Sequence, residues 1–319
     1  MTDRYFILDS DIGSDIDDAM ALLLCLRLQD FPLVAITTVY NCVELRARIA
    51  KKMLMLENRE VPVGIGVGDP LDELKIIWET GHEGEGLLSE AELSLPLTDF
   101  GITSDGIDLM IKKAKEFQGK VEIITLGQFT NIATALQRDS DFNGNIKRIW
   151  SMAAGVTFNQ EVPSDFPNPS EEYMVVPSHN IRTDIRAAEN VLASGIPITF
   201  VGNDVTTKVF FNQADIQIVS SQGSELNKAA MRMMDIWLNY RSKTFGVEVK
   251  RTCLHDALVI AEAIGMSFTE KVSIDIRIDR DIMGGTFAKY NPESPHQISW
   301  SVNSEAFEKW YIETVCKVD

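Results

Sequence analysis

Short apolar runs of strand length alternate along this chain with longer amphipathic segments of helix length, and few folds satisfy that alternation. "YFILD", "LVAITTVY", "VPVGIGV", "VEIITLG", "IKRIWSMAAG" and "IPITFVG" read as strands. Between them, "DDAMALLLCLRLQ", "VELRARIAKKMLMLEN", "SDGIDLMIKKAKEF", "TNIATALQR" and "IRTDIRAAENVLASG" read as helices. Ser104 is expected at an N-cap and Gly195 at a C-cap. This rhythm predicts an α/β fold with an open, mainly parallel, doubly wound sheet. Further on, "ELNKAAMRMMDIWLNYRSKTF" reads as a long helix. "KVSIDIRID", "GTFAKY" and "HQISWSV" read as extra C-terminal strands before a last helix, "SEAFEKWYIETV". No internal repeat or linker divides the chain, so one domain over residues 1–319 is expected. The stretch from Gly155 to Pro177 holds Pro163, Pro167, Pro169 and Pro177 and reads as a long functional loop.

In a doubly wound sheet the carboxyl ends of the strands face the ligand crevice. The first strand ends near Asp9, and there "DSDIGSDIDD" gathers Asp9, Asp11, Asp15, Asp17 and Asp18. One or two aspartates serve as helix caps. Five do not, because neighbouring carboxylates raise one another's pKa. A hard divalent cation such as Ca²⁺ resolves the conflict with carboxylate and carbonyl oxygens. Gly127 would let the backbone approach closely and expose the Leu126 carbonyl. In "TCLHDALVIAEAI", His255 and Asp256 open an apolar helix, where Asp256 alone reads equally as an N-cap and His255 as a core-edge histidine.

The formal net charge of −17 repels phosphate backbones and anionic membranes, which leaves small molecules and cations as partners. Four cysteines without a CxxC pair argue against a disulfide framework or a zinc finger, and Cys42 and Cys253 read as small buried side chains. With no apolar run of spanning length and no leader ahead of the first strand, a soluble cytoplasmic protein is expected.

Six segments, in order, "ILDSDIGSDIDDAMALLL", "ITTVYN", "HEGEGL", "TLGQFTNIATAL", "HNIRTDIRAAENVLASGIPITFVGNDVT" and "LHDALVIA", resemble the inosine–uridine-preferring nucleoside hydrolase family over nearly the whole chain. The resemblance implies a Rossmann-like nucleoside hydrolase fold. It also implies Ca²⁺-dependent cleavage of the N-glycosidic bond of ribonucleosides to base and ribose, in purine or pyrimidine salvage, by a dimer or tetramer. It makes Asp11 the general base and a calcium ligand. Asp18, Asp256 and the Leu126 carbonyl complete the metal ligands, and Asp17 holds a ribose hydroxyl. Asn41 and Asn180 are implied ribose contacts. His255 is the first proton donor for the leaving base, with His82 the second or else a lid residue, and each is expected to titrate without a large shift. Trp237 and Tyr240, spaced i, i+3, are core or a stacking platform for the base.

The chain departs from the family pattern in several places. Two extra residues lengthen the aspartate motif, and the added Asp15 reads as a group that supports the site from behind or, in preference, as a solvated carboxylate. Tyr40 stands where the family has glycine. Ser178 stands where it has a glutamate that contacts the ribose 5′ end, with Glu171 or Glu172 as substitutes from the loop. His179 is expected to contribute shape. Two alternatives stay open. One is a haloacid-dehalogenase-like phosphatase with Asp9 as nucleophile, Asp11 as acid and base, and Mg²⁺, although Gly13 does not fit it. The other is a non-catalytic calcium-dependent ribosyl-binding protein.

Overall fold

The computed structural model describes residues 4–155, 172–175 (backbone only), 178–222 and 224–317. Its strands are β1 (Tyr5–Ser10), β2 (Leu33–Thr38), β3 (Val63–Ile65), β4 (Ile102–Thr103), β5 (Val121–Thr125), β6 (Ile146–Ser151) and β7 (Glu172–Val175). They continue as β8 (Ile198–Phe200), β9 (Phe210–Asn212), β10 (Arg251–Cys253), β11 (Thr269–Asp279), β12 (Gly285–Tyr290) and β13 (Gln297–Val302). Eleven form one sheet in the order β4-β3-β2-β1-β5-β6-β8-β13-β11-β12-β7. The run from β4 to β13 is parallel. The last three strands add on antiparallel. The doubly wound sheet and the extra C-terminal strands are therefore both present. The strand pair β9–β10 and the short β4 and β7 were not foreseen.

Alternation along β1 explains the two-sided core. Phe6 and Leu8 face one apolar cluster and Ile7 faces the other. The first cluster is covered by helices Asp17–Arg27, Val43–Leu56, Glu225–Phe245, His255–Ala263 and Ser304–Val315. The second is covered by helices Gly106–Glu116, Thr130–Arg138 and Ile185–Ala193.

Helix ends differ in detail from the sequence reading. The cap of Gly106–Glu116 is Asp105, not Ser104, and its side chain accepts from Asp108 N at 2.9 Å. The segment "IRTDIRAAENVLASG" breaks into helices His179–Arg182 and Ile185–Ala193, because Asp184 caps the second through Ala187 N at 3.1 Å. Gly195 follows the C-cap Ser194 at φ 74°, the left-handed conformation that glycine adopts without strain. Of the expected loop, only β7 and Gly155 lie among the described residues, and Glu171 lies outside them.

Strand order reverses between β1 and β5, so a crevice opens at their carboxyl ends. This junction carries the aspartate loop on one side and Leu126 on the other.

Candidate active site

Pairing of β1 with β5 runs one residue past the strands, with Leu126 N donating to Asp9 O at 2.8 Å. Asp11 is thereby set against Gly127. A Cβ at that glycine would lie 2.7 Å from Val39 Cγ1 and 2.9 Å from Asp11 Oδ1, so the approach requires glycine. The loop beyond Asp11 is held from below by Arg46, which is 1% exposed. Its guanidinium donates to the carbonyls of Asp11, Ile12 and Tyr40 and to Ser14 Oγ. These bonds turn the loop carbonyls inward and leave its carboxylates facing the crevice.

Helix Asp17–Arg27 begins in that loop, and helix His255–Ala263 packs against it. Neither N-cap, Ile16 or Leu254, makes a side-chain capping bond. The partial positive ends of both helices therefore converge on Asp17, Asp18 and Asp256. Oxygen atoms of these three carboxylates lie within 4.8 Å of one another. Ser10 Oγ donates to Asp18 Oδ1 at 2.6 Å. Burial first, then the charge of Asp11, pushes Asp18 up to about 8. Burial and the surrounding aspartates push Asp17 and Asp256 well above the carboxylate range.

A cleft of about 170 Å³ opens over this cluster. It is lined by Asp11, Asp17, Asp18, Leu126, Asn180, His255 and Asp256. The structure thus brings these seven sequence-predicted residues together. Asn180 donates its side-chain N–H groups to the Leu126 and Met152 carbonyls. His255 Nδ1 lies 2.8 Å from Thr206 Oγ1. Burial, with a smaller contribution from Arg241, depresses His255 to about 4, which corrects the expectation that it titrates without a large shift. Asp15 is another correction. It is half-buried, lines the cleft, and is pushed up to about 7 by burial, so it is no solvated carboxylate.

Four residues expected in the hydrolase site, and Asp9 of the phosphatase alternative, lie outside this cleft. His82, pushed down by burial, lines a neighbouring pocket with Trp237 and packs 5.0 Å from the Tyr240 ring. Trp237 is 1% exposed and donates to Thr252 Oγ1 at 3.1 Å, which makes it core rather than a stacking platform in this cleft. Tyr240 stacks on Trp237. Asn41 donates to Glu79 Oε1. Asp9 is 0% exposed, and its Oδ1 accepts from Thr37 and Asn131. Burial pushes its carboxyl up to about 7. It does not line the cleft, so the phosphatase reading loses its nucleophile.

Three residues were missed. Trp78 supplies an aromatic wall of the cleft. Tyr40 holds that tryptophan, accepting from Trp78 N at 2.7 Å and donating to Ile76 O at 2.9 Å. Arg46 left one signal, a charge on the apolar stripe of its helix beside Ala47, Ile49 and Ala50.

The family model for inosine-uridine preferring nucleoside hydrolases matches residues 6–309. A probable uridine nucleosidase 2 of Oryza sativa subsp. japonica is 28% identical, over 95% of this chain and 90% of that one. A pyrimidine-specific ribonucleoside hydrolase, RihA, of Salmonella agona is 31% identical, over 73% of this chain and 71% of that one. Two solved structures share the fold. A plant nucleoside hydrolase (PpNRh1 enzyme) superposes at TM-score 0.78 with 22% identity, covering 99% of this chain and 100% of its own. A purine-preferring ribonucleoside hydrolase from Gardnerella vaginalis does so at 0.78 with 21% identity, covering 98% of each chain. The aspartate cleft at the strand switch and the match across nearly the full length agree, and the chain belongs to the inosine-uridine preferring nucleoside hydrolase family of N-glycosyl hydrolases.

Proposed function

We propose that this chain hydrolyses the N-glycosidic bond of ribonucleosides to free base and ribose, using one Ca²⁺ in the acidic cleft. The observation that carries this reading is the convergence of Asp17, Asp18 and Asp256 within 4.8 Å, beside Asp11 and the Leu126 carbonyl. The donor set fits a hard cation, since it is all oxygen and the charges acting on Asp256 are those of Asp17, Asp18, Asp11 and Asp15. Asp11, Asp18, Asp256 and the Leu126 carbonyl are the proposed ligands, and Asp17 lies close enough to join them. When bound there, the cation supplies counter-charge to the carboxylates and Lewis acidity toward water and hydroxyl oxygens.

The chain's own residues divide the remaining work. Asp11 accepts the proton of the attacking water as the C–N bond lengthens. The carboxylates stabilise positive charge that develops on the sugar ring. Asp17 holds a ribose hydroxyl. Asn180 spends its N–H groups on two backbone carbonyls, which fixes the Leu126 peptide and leaves its side-chain oxygen for the sugar. The 2.8 Å contact of His255 Nδ1 with Thr206 Oγ1 fixes the ring, and the neutral imidazole is the proposed hydrogen-bond partner for the charge that develops on the departing base, whose protonation is completed by solvent. Trp78 takes over the stacking role expected of Trp237 and Tyr240. The relatives are named for uridine, pyrimidine and purine nucleosides, which supports a nucleoside substrate without choosing a base.

A panel of ribonucleosides, 2′-deoxyribonucleosides and p-nitrophenyl riboside tests this. Reducing sugar released from the ribosides by calcium-loaded protein is expected. Absence of release from every riboside would reject the reading.

A further inference from the structure

The chain from 66 to 89, between β3 and the helix Glu90–Ser94, forms no regular secondary structure. A connection of that length is ordinarily functional. This one carries Trp78, which lines the cleft, and His82, which lines the adjacent pocket. Two of its ties point away from the aspartates. Trp78 N donates to the Tyr40 hydroxyl, and Arg232 Nε donates to Gly86 O at 3.0 Å.

Between them, Glu83 reaches the aspartate loop. Its Oε1 accepts from Thr80 N at 2.7 Å, Thr80 Oγ1 at 3.0 Å and Ser14 Oγ at 3.0 Å, and its Oε2 accepts from Gly81 N at 2.9 Å. Partial burial would raise the Glu83 carboxyl, but bonds from Thr80 and Ser14 outweigh it and hold the group below the usual carboxylate range. Ser14 is 3% exposed and lies in the lengthened stretch between Gly13 and Asp17. Its hydroxyl accepts from Arg46 Nη2 at 3.1 Å while it donates to Glu83. The same guanidinium holds the Asp11 and Ile12 carbonyls. Gly13, at φ 130°, lets the two loops cross, since a Cβ there would lie 2.8 Å from Ile49 Cδ1 and 3.7 Å from Glu83 Cβ.

We propose that Glu83 is a positioning residue, whose carboxylate clamps the loop of Trp78 and His82 to the loop of Asp11 through Ser14 and so fixes the width of the cleft around the nucleoside. The inference rests on the nucleoside-hydrolysis reading. Glu83 itself lines neither the cleft nor the adjacent pocket. Arg46 holds Asp11 from its own side, so loss of Glu83 loosens the wall and leaves the aspartates in place. The cost therefore falls on binding.

The test uses calcium-loaded wild type, Glu83→Gln, Ser14→Ala and the double variant. Glu83→Gln keeps the side-chain volume and removes the charge. It should raise KM for uridine about tenfold and change kcat little. Ser14→Ala should act in the same direction, and the double variant should lose less than the product of the two single losses, because both cut one contact. Amide hydrogen exchange over residues 76–88 should quicken in both single variants, although Ser14 lies 69 residues from Glu83. Unchanged KM in Glu83→Gln, or losses that simply multiply, would overturn the inference while leaving hydrolysis intact. If wild type releases no ribose, the hydrolysis reading fails instead. Exchange then decides the clamp: quicker exchange of 76–88 in Ser14→Ala supports it, and unchanged exchange overturns it.

Discussion

The Tyr40 hydroxyl accepts a hydrogen bond from Trp78 N at 2.7 Å, and so ties the end of β2 to the aromatic wall of the cleft. Tyr40 sits at φ 69° and Asn41 follows at φ 58°, conformations uncommon outside glycine. The strain is offset by the two bonds its hydroxyl makes to the Ile76–Trp78 backbone. Tyr40→Phe removes both bonds and keeps the ring. It should cost about 1–2 kcal/mol in thermal unfolding and raise KM more than it lowers kcat. An unchanged KM would show that Trp78 is held by other contacts.

Arg46 predicts a different phenotype. It bonds the carbonyls of Asp11 and Ile12, so its loss leaves acceptors unpaired beneath the proposed metal ligands. Arg46→Met should destabilise the protein by on the order of 3 kcal/mol and weaken calcium binding. Denaturant unfolding and calcium titration of the variant check both. Wild-type calcium affinity would show that the loop keeps its shape without the clamp.

Much of this site is legible in the sequence because strand ends and aspartates are local signals. β1 stops at Ser10, two residues past its apolar run, and the crowded carboxylates that follow mark the acidic cleft by charge alone. Trp78 and Tyr40 are not legible in that way, because a hydrogen bond across 38 residues leaves no periodic trace. Trp237 misleads for the opposite reason. Its i, i+3 spacing with Tyr240 fits a binding face and a core face equally, and only tertiary packing assigns it to the core. The buried environment that depresses His255 is likewise assembled from distant segments.

Calcium stabilisation should grow with pH. Burial raises Asp18, a proposed ligand, to about 8 and Asp15 beside it in the cleft to about 7. In the metal-free protein the folded state holds protons that the unfolded chain has released above about pH 4. The associated stability is present below pH 4 and is lost as pH rises through 7 to 8. Protons compete with the cation in the same window. The calcium-induced rise in Tm should therefore be larger at pH 8 than at pH 5.5. Equal rises at both pH values would contradict the shared use of these carboxylates.

His255→Ala should discriminate between leaving groups. A positioned hydrogen bond to the charge developing on the departing base is worth about 10²–10³-fold in rate. The variant should slow uridine by a factor in that range and barely affect p-nitrophenyl riboside, whose nitrophenolate leaves unaided. Equal slowing of both would assign His255 to binding or folding.

The central claim is that the acidic cleft hydrolyses nucleosides with a bound divalent cation. The most direct measurement is ribose release from uridine and inosine by protein stripped with chelator and then reconstituted, with metal content determined alongside. The account predicts loss of release on stripping, recovery with Ca²⁺, and one equivalent of metal in the active protein. Undiminished ribose release from protein shown to contain no stoichiometric metal would contradict it.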